Sequence, residues 1–462
     1  MAECPFIPPY PLPPLRKPGL LRRFVLGWGS WLHTLFAGSY TMKLGHTRLP
    51  RLSVFMVNDL SLVRRVLGGG DAFPKHGLLD DMLGPLVGSS VFSANGEAWR
   101  RQRAMVNPAF AHTNLARALP MMLAATQDLI GRMQALSGEG SIAIDPLMTH
   151  VTADIIFRTL FSVGLGEGEA CTIHAAFEQY QRHAQRSAML GLYRLPRLGF
   201  DRRARRAAQA IRGVFAPLVQ ARLADHAQGR GGQKADILET LIAARDPVDS
   251  TPFTPEGLID QIAVLFLAGH ETSASALGWS LYLLAASPVW QDRARAEVQQ
   301  AFGDDPPTPA TLKGLDTLRH VFREALRLYP PVSFLPRASE APITLRDKLV
   351  APGDLLIVAP WLIHRNPDTW DCPHAFDPDR FGPEGEVDAV RKAWIPFGQG
   401  DRLCVGAGFA MQEAMVVLAQ VLRHFRLDTA ATPEVVSRLT LRARDGIHLR
   451  VHALARDSDA AD

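Results

Sequence analysis

The feature that most constrains this chain is a lone cysteine, Cys404, between a glycine-rich turn and a long apolar stretch. Residues 397–406 read FGQGDRLCVG. The apolar stretch that follows, up to Phe425, predicts a helix and places Cys404 at or just before its N-terminus. The helix dipole and unpaired amide groups there favour an anion, so we expect the pKa of this thiol to be lowered.

The residues around Cys404 suit a flat, acidic ligand. Glycine at 398, 400 and 406 allows the backbone to turn sharply and to lie close to a planar molecule. Arg402 can pair with a carboxylate on that molecule. Together they describe a thiolate beneath a large planar cofactor with acidic side arms, and haem fits this description.

Three other readings of Cys404 stay open on the sequence alone. An isolated cysteine is usually a small buried apolar residue. A zinc site needs several cysteine or histidine ligands at short spacing, but Cys4, Cys171 and Cys372 are far away and form no CxxC pair. A nucleophilic cysteine is also possible, although the sequence GQGDR is not a known oxyanion loop.

The segment from Phe397 to Gly406 resembles the haem-binding loop of the cytochrome P-450 superfamily, FxxGxRxCxG, at every fixed position. The resemblance implies that Cys404 is the metal ligand of haem b, iron protoporphyrin IX. It also implies that Phe397, Gly398, Arg402 and Gly406 surround this cofactor. In this family the thiolate directs electron density toward cleavage of the O–O bond.

Composition is compatible with one large domain. The 462 residues would by length alone suggest roughly three domains, but no linker divides them. We therefore expect a single domain over 1–462, with a proline-rich segment over 1–20. The 47% hydrophobic content supports a large core, and a net charge of +4 gives no reason to expect nucleic-acid binding. The resemblance implies a mainly α fold with small β-sheets, haem between a long central helix and the cysteine-loop helix, and a monomer.

The N-terminal region predicts no transmembrane anchor. The apolar stretch over 24–37 is shorter than the ~20 residues that a span needs, and basic residues flank it. Four scattered cysteines suit a reducing compartment. The chain therefore resembles the soluble bacterial members of the superfamily, which are cytoplasmic. Contact of residues 24–37 with a membrane surface stays open.

Sequence patterns place the main elements along the chain. Residues 40–58 predict a β-hairpin with its turn at Gly45–His46, and residues 73–92 predict a glycine-punctuated loop. Helix is predicted over most of 95–301, and strands near 343–358 and 439–451.

A long apolar helix is predicted from Thr254 to Ala286, where Thr254 and the following proline form a helix start. Its centre, residues 268–272, reads AGHET. Glycine weakens a helix by roughly 1 kcal/mol, and threonine can bond back to a carbonyl one turn earlier. A local opening could hold water and small ligands; a packing glycine with a satisfied threonine is the alternative.

This centre resembles the oxygen-activating AGxET segment of the superfamily, with Ala268 and Gly269 at its start. The resemblance gives Thr272 the role of holding dioxygen and its proton-delivering water. Glu271 would belong to the proton relay. His270 occupies a variable position and is expected to line the pocket or to be exposed.

Two further motifs carry structural and cofactor roles. Glu324 and Arg327 share one helix face; by themselves they would be an ordinary surface ion pair, but the resemblance implies a buried pair joined by Arg380. Trp99 and Arg103 also share a helix face, which an amphipathic helix would explain. The resemblance instead directs both at a haem propionate, and gives three arginines for two carboxylates: Arg103, Arg337 and Arg402.

The resemblance also locates an apolar substrate pocket. Its expected lining is Leu78, Leu79, Met82, Leu83, Met189, Leu190, Val264, Val332, Phe334 and Leu335. A terpenoid, fatty acid or polyketide would fit such a lining.

These features predict a haem-dependent monooxygenase that uses O2 and an apolar small-molecule substrate. The chain carries no flavin or iron–sulfur domain, so we expect electrons from a ferredoxin and ferredoxin reductase. The expected docking face is Arg100, Arg101, Arg391 and Lys392. Two alternatives stay open: a peroxygenase or haem isomerase of the same fold, and a non-catalytic haem-binding sensor.

Overall fold

A computed structural model describes residues 6–49, 52–303, 305–385 and 388–454. The fold is mainly α with small β-sheets, which confirms the predicted class. The first half of the chain forms helices α1 (Leu20–Gly27), α2 (Leu60–Gly68), α3 (Leu78–Val87), α4 (Gly96–Val106), α5 (His112–Leu136), α6 (Ile144–Phe161), α7 (Glu167–Leu192) and α8 (Phe200–Ala227). The second half forms α9 (Ile237–Ala243), α10 (Pro255–Ala286), α11 (Pro288–Phe302), α12 (Pro309–Lys313), α13 (Asp316–Leu328), α14 (Pro360–Ile363), α15 (Asp388–Ala393) and α16 (Ala407–His424).

The strands are short and form small sheets. They are β1 (Leu44–Arg48), β2 (Ser53–Val57), β3 (Ile142–Ala143), β4 (Leu335–Arg337), β5 (Ile343–Leu345), β6 (Lys348–Val350), β7 (Leu355–Val358), β8 (Phe425–Thr429), β9 (Val435–Ser437), β10 (Leu441–Ala443) and β11 (His448–Ala453). Four strands pair in the order β1-β2-β7-β4, and β2 and β7 run parallel in register Val54↔Leu355. Strands β3, β11 and β8 form a second sheet, while β5 with β6 and β9 with β10 are two-stranded.

Two local predictions were wrong in detail. Gly45 and His46 lie inside β1, and the chain turns only after Arg48, because Thr47 continues the extended pattern. Residues 73–92 contain the helix α3, not only a loop. Its apolar side chains recur at helical spacing, but Gly84 and Pro85 within the helix concealed that pattern.

The central helix α10 begins and ends where the sequence predicts. The Thr254 hydroxyl accepts a hydrogen bond from the Gly257 amide at 3.0 Å and caps the first turn. The helix ends at Ala286, just before α11 starts with a proline. Almost all its side chains are buried, and α6 packs along it. At Gly269 an added Cβ would lie 2.9 Å from Cγ1 of Ile156, so glycine permits this close approach.

The N-terminal segment is irregular, and one of the cysteines is not a free thiol. Residues 1–5 of the proline-rich segment lie outside the described residues, and residues 6–19 form no helix or strand. Cys171 and Cys404 have free thiols, whereas Cys372 is disulfide-bonded. This bond differs from the expectation of reduced thiols, because spacing along a chain does not report distance in space.

Among the helices described, none has both the length and the apolar character to cross a membrane.

Candidate active site

A cavity of about 600 Å³ lies between the centre of α10 and the loop that carries Cys404. Nine of the predicted pocket residues border it: Leu78, Leu79, Met82, Leu83, Met189, Val264, Val332, Phe334 and Leu335. Leu190, also predicted, is buried but is not part of the lining. Neighbouring residues of a helix point about 100° apart, so Met189 faces the cavity and Leu190 does not.

Two glycines shape the loop before Cys404. Gly398 and Gly400 have φ of +75° and +74°, a conformation that side chains disfavour. An added Cβ at Gly400 would also lie 2.6 Å from the carbonyl oxygen of Leu67 in α2. The Cys404 amide donates to the Phe397 carbonyl at 2.9 Å. The loop is therefore tightly folded, and it presents the Cys404 thiol to the cavity.

Cys404 lies two residues before Gly406, the N-cap of α16, as the sequence predicts. Its side chain is exposed to the open cavity, but its pKa is nevertheless raised, because desolvation by the surrounding protein atoms outweighs the Gly406 amide and the nearby charge of Arg103. The expectation of a lowered pKa was wrong for the protein alone. A bound metal ion deprotonates a coordinating thiol outright, so this sulfur suits a metal ligand better than a free nucleophile.

A wall of four basic side chains lies beside the cysteine loop. Its members, which we call the cation cluster, are Lys75, Arg103, Arg337 and Arg402. Burial and the charges of Arg402 and Arg337 lower the pKa of Lys75 to about 6, so its amine is mostly neutral at neutral pH until an anion binds beside it. Burial, then Arg402, lowers the pKa of Arg337 to about 10. Among the described residues, no carboxylate lies within 4.0 Å of any of the four.

Neutral groups hold the cation cluster in place. Arg402 donates to the Asn95 side-chain oxygen at 2.8 Å, and its guanidinium lies 4.8 Å from the centre of the Trp99 ring. Its Nη2 is buried and has no hydrogen-bond partner among the described residues. Lys75 donates to the carbonyl oxygens of residues 91 and 94. Arg103 donates to the carbonyl of Leu403 at 2.9 Å, next to the cysteine.

These residues fit haem b. Uncompensated buried cations and an unpaired guanidinium nitrogen are costly unless an anion joins them. The two carboxylates of haem b would supply that charge, while Cys404 would supply the ligand to its iron. Lys75 had not been predicted as part of this wall, because no local sequence pattern connects it with Arg337 and Arg402, which lie 262 and 327 positions further along the chain.

The opposite wall carries Thr272 and Glu271 of α10. The Thr272 hydroxyl donates to the Ala268 carbonyl at 2.7 Å, the back-bond that the sequence predicts. Glu271 is only 2% exposed. Burial would raise the pKa of its carboxyl, but the charge and hydrogen bonds of Arg442 prevail and lower it. Arg442 donates to Glu271 at 2.6 Å, so the two form an ion pair.

Two more donors fix Glu271. The Thr440 hydroxyl lies 2.6 Å and the Gln181 amide nitrogen 2.8 Å from Oε1 of Glu271. Thr440 and Arg442 belong to the β9–β10 hairpin, and Gln181 belongs to α7. Sequence reasoning missed all three residues, since neither strand alternation nor helical periodicity indicates which element a side chain will face.

His270 was expected at the pocket or at the surface, and the structure places it elsewhere. It is 2% exposed and is absent from the cavity lining. Its Nδ1 lies 2.8 Å from the Phe266 carbonyl oxygen, and burial lowers its pKa. His270 therefore packs among helices outside the cavity, with its Nε2 3.9 Å from Oε2 of Glu271.

The motif around Glu324 lies outside the cavity and holds the chain beneath it. Glu324 and Arg327 are fully buried and share two hydrogen bonds, of 2.6 and 2.7 Å. Arg327 also donates to the carbonyl oxygens of residues 364, 373 and 375. Arg380 lies 3.4 Å from Glu324. These bonds join α13 to the irregular chain that leads into the cysteine loop. The pair is therefore a buried structural contact and not the ordinary surface ion pair that the two residues alone would suggest.

This arrangement of a cysteine, a cation wall and a threonine-bearing central helix defines the class of haem-thiolate proteins. The sequence model of the family described as "Cytochrome P450" matches residues 30–444. The chain therefore belongs to the cytochrome P450 family, whose cofactor is haem b, and it is a monooxygenase.

Three curated relatives illustrate the range of the likeness. Cytochrome P450 CYP72A616 of Paris polyphylla is 31% identical over 88% of this chain and 80% of the relative. Cyclooctatin synthase of Streptomyces melanosporofaciens is 29% identical over 82% of each. A cytokinin hydroxylase of Arabidopsis thaliana is 31% identical over 79% of this chain and 72% of the relative. Plant and bacterial members match about equally, so the comparison does not single out the bacterial type.

Proposed function

We propose that this monooxygenase inserts one oxygen atom from O2 into a C–H or C=C bond of an apolar small molecule of terpenoid, fatty-acid or polyketide type. The observation that carries this proposal is the apolar wall of the cavity. It reaches from the Cys404 loop past Thr272 to the leucines of α3. An apolar substrate gains roughly 25 cal/mol for each Å² that it buries there.

The protein's own groups position the reactants and handle protons. Bound haem would supply the oxidising chemistry, with Cys404 as its ligand and the cation cluster around its carboxylates. The Thr272 hydroxyl gives its hydrogen to Ala268 and keeps its lone pairs free for a ligand or water in the cavity. Glu271 is ionised, so it must accept a proton before it can donate one. The ion pair between Arg442 and Glu271 therefore has to weaken when Glu271 relays a proton.

We infer that a separate protein supplies the electrons, a ferredoxin with its reductase. The expected docking residues Arg100, Arg101, Arg391 and Lys392 all have acidic neighbours: Arg100 pairs with Asp71, Arg101 with Glu97, and Arg391 and Lys392 with Asp388. Paired charges attract a partner less strongly at long range. We therefore infer that shape complementarity contributes more to docking of the ferredoxin than net charge does.

Reconstitution tests this function. The purified protein is loaded with haem, reduced and exposed to carbon monoxide, and the red-shifted band of a thiolate-ligated ferrous haem is recorded. Cys404→His should abolish that band. Product formation with a ferredoxin system is then compared with hydrogen peroxide alone. Turnover with peroxide only would favour a peroxygenase, and the band without any turnover would favour a haem sensor.

A further inference from the structure

The charged residues of the cavity lining fall into two groups. The cation cluster accounts for four, and three more cations border other parts of the cavity: Lys17, Arg23 and Arg438. The acidic residues of the lining are Glu271 and Glu413. Glu271 is already paired with Arg442, and burial raises the pKa of Glu413 to about 8, so it is mostly neutral. The cations outside the cluster therefore have no anion within the cavity.

Arg23 is the best-fixed of these cations. It lies on α1, half-buried, and donates to the Thr34 carbonyl at 3.2 Å and to the Thr47 hydroxyl at 2.8 Å. Both acceptors are neutral. Among the described residues, no carboxylate lies within 4.0 Å of Arg23. Its guanidinium is thus oriented by two bonds but carries an uncompensated charge.

Lys17 adds a second positive charge at the same place. It donates to the carbonyl of His46 at 2.9 Å, and no acidic partner within 4.0 Å is found for it in the described ranges either. Lys17 is exposed to solvent, and partial desolvation, then the charge of Arg23, lowers its pKa. Burial also lowers the pKa of Arg23. Two cations that border one cavity and repel each other gain stability when an anion enters between them.

We propose that Arg23 and Lys17 bind the carboxylate of an elongated substrate whose apolar body lies in the cavity toward Cys404. The planar guanidinium suits a two-oxygen anion, and Lys17 adds a point charge. The cavity would then select amphipathic acids over neutral molecules of the same length. This inference rests on the proposed function, because it names the substrate class of the same site.

Matched ligands test the inference on the haem-loaded enzyme. Dodecanoic acid, methyl dodecanoate and dodecanol share one chain and differ in the head group, which is charged only in the acid. Binding is measured by the haem absorption shift and by titration calorimetry. We expect the acid to bind roughly tenfold more tightly than the ester, and Arg23→Gln with Lys17→Gln to remove that preference without changing ester affinity. Added salt should weaken acid binding only.

Arg22 provides the matched control, since it neighbours Arg23 on α1 but is exposed and lies outside the cavity lining. Arg22→Gln should keep the acid preference. An equal loss of the preference for the acid in Arg22→Gln and Arg23→Gln would overturn the proposal, because it would indicate only long-range electrostatic attraction. Loss of preference in Arg438→Gln but not in Arg23→Gln would overturn it too.

The two proposals fail separately. Equal affinity of the wild type for acid and ester, with normal turnover of neutral substrates, would refute only the carboxylate site. Absence of the thiolate band would refute the proposed function, whereas a calorimetric preference for the acid that depends on Arg23 would still support carboxylate binding.

Discussion

Ser273 and Glu413 lie 2.5 Å apart, between oxygens, and join the central helix α10 to the helix α16 that follows Cys404. Both side chains are buried, and Oε1 of Glu413 has no hydrogen-bond partner among the described residues. One hydroxyl cannot compensate a buried negative charge. Burial therefore raises the pKa of Glu413 to about 8, and at neutral pH the carboxyl mostly holds a proton beside Ser273 on the wall of the cavity.

Glu413 should make the stability of the protein fall as pH rises. Between the ordinary pKa of 4.5 and about 8, the folded state keeps a proton that the unfolded state has lost. The unfolding free energy then decreases with pH by up to about 1.4 kcal/mol per unit, and levels off above pH 8. Glu413→Gln should flatten this slope in denaturant unfolding measured across that range. Glu340→Gln, at an exposed acid, should leave the slope as in the wild type; a slope unchanged in Glu413→Gln would contradict the assignment.

The ion pair between Arg442 and Glu271 should show strong coupling. Arg442→Gln leaves the buried carboxylate without its cation and should cost about 3–5 kcal/mol in unfolding free energy. Adding Glu271→Gln should recover much of that loss, because the uncompensated charge is removed. A double-mutant cycle by chemical denaturation measures the coupling, and additive effects would show that the pair does not stabilise the fold.

We expect glycine to be needed at position 269 because Ile156 leaves no room for a side chain, and not because the helix favours glycine. Gly269→Ala gains about 1 kcal/mol of helix propensity, but its Cβ would lie 2.9 Å from Cγ1 of Ile156. Overpacking of this kind costs about 1–3 kcal/mol, so we expect a net loss of stability. In the background of Ile156→Ala the same change should instead stabilise, since the obstacle is gone. Thermal unfolding of the wild type, the two single variants and the double variant measures these effects. An equal change in stability on Gly269→Ala in both backgrounds would rule out the contact with Ile156 as the cause.

Thr272 should control the use of electrons more than substrate binding. Thr272→Ala removes the hydroxyl that faces the cavity and should divert reducing equivalents into hydrogen peroxide, with substrate affinity little changed. Thr272→Ser restores a hydroxyl and should recover coupling. The ratio of product formed to reductant consumed is the measurement. Full coupling in the alanine variant would remove the proposed proton role.

Sequence reasoning located the motifs because each is local. The spacing around Cys404, the AGHET centre and the pair Glu324–Arg327 each lie within one turn or helix, and the structure places them as one site with its support. Helix α10 was also predictable, since Thr254 and two prolines mark its ends. These features depend on residues close in sequence, where propensity and periodicity apply.

The missed residues owe their roles to contacts between distant segments. Lys75 joins the cation cluster, and Arg442 meets Glu271, across long stretches of chain. Glu413 has a raised pKa only because α16 is buried against α10. The pKa of Cys404 was predicted in the wrong direction, because the helix N-terminus was considered without the burial that outweighs it.

The pairing of Glu271 with Arg442 also bears on how the protein is made. The two residues are 171 positions apart, and Arg442 lies near the end of the described chain. A ribosome must therefore synthesise the chain as far as Arg442, 171 residues beyond Glu271, before this ion pair can form. Because burial of Glu271 without Arg442 would leave an uncompensated charge, we expect the cavity wall around Thr272 to close only after the β9–β10 hairpin has been synthesised.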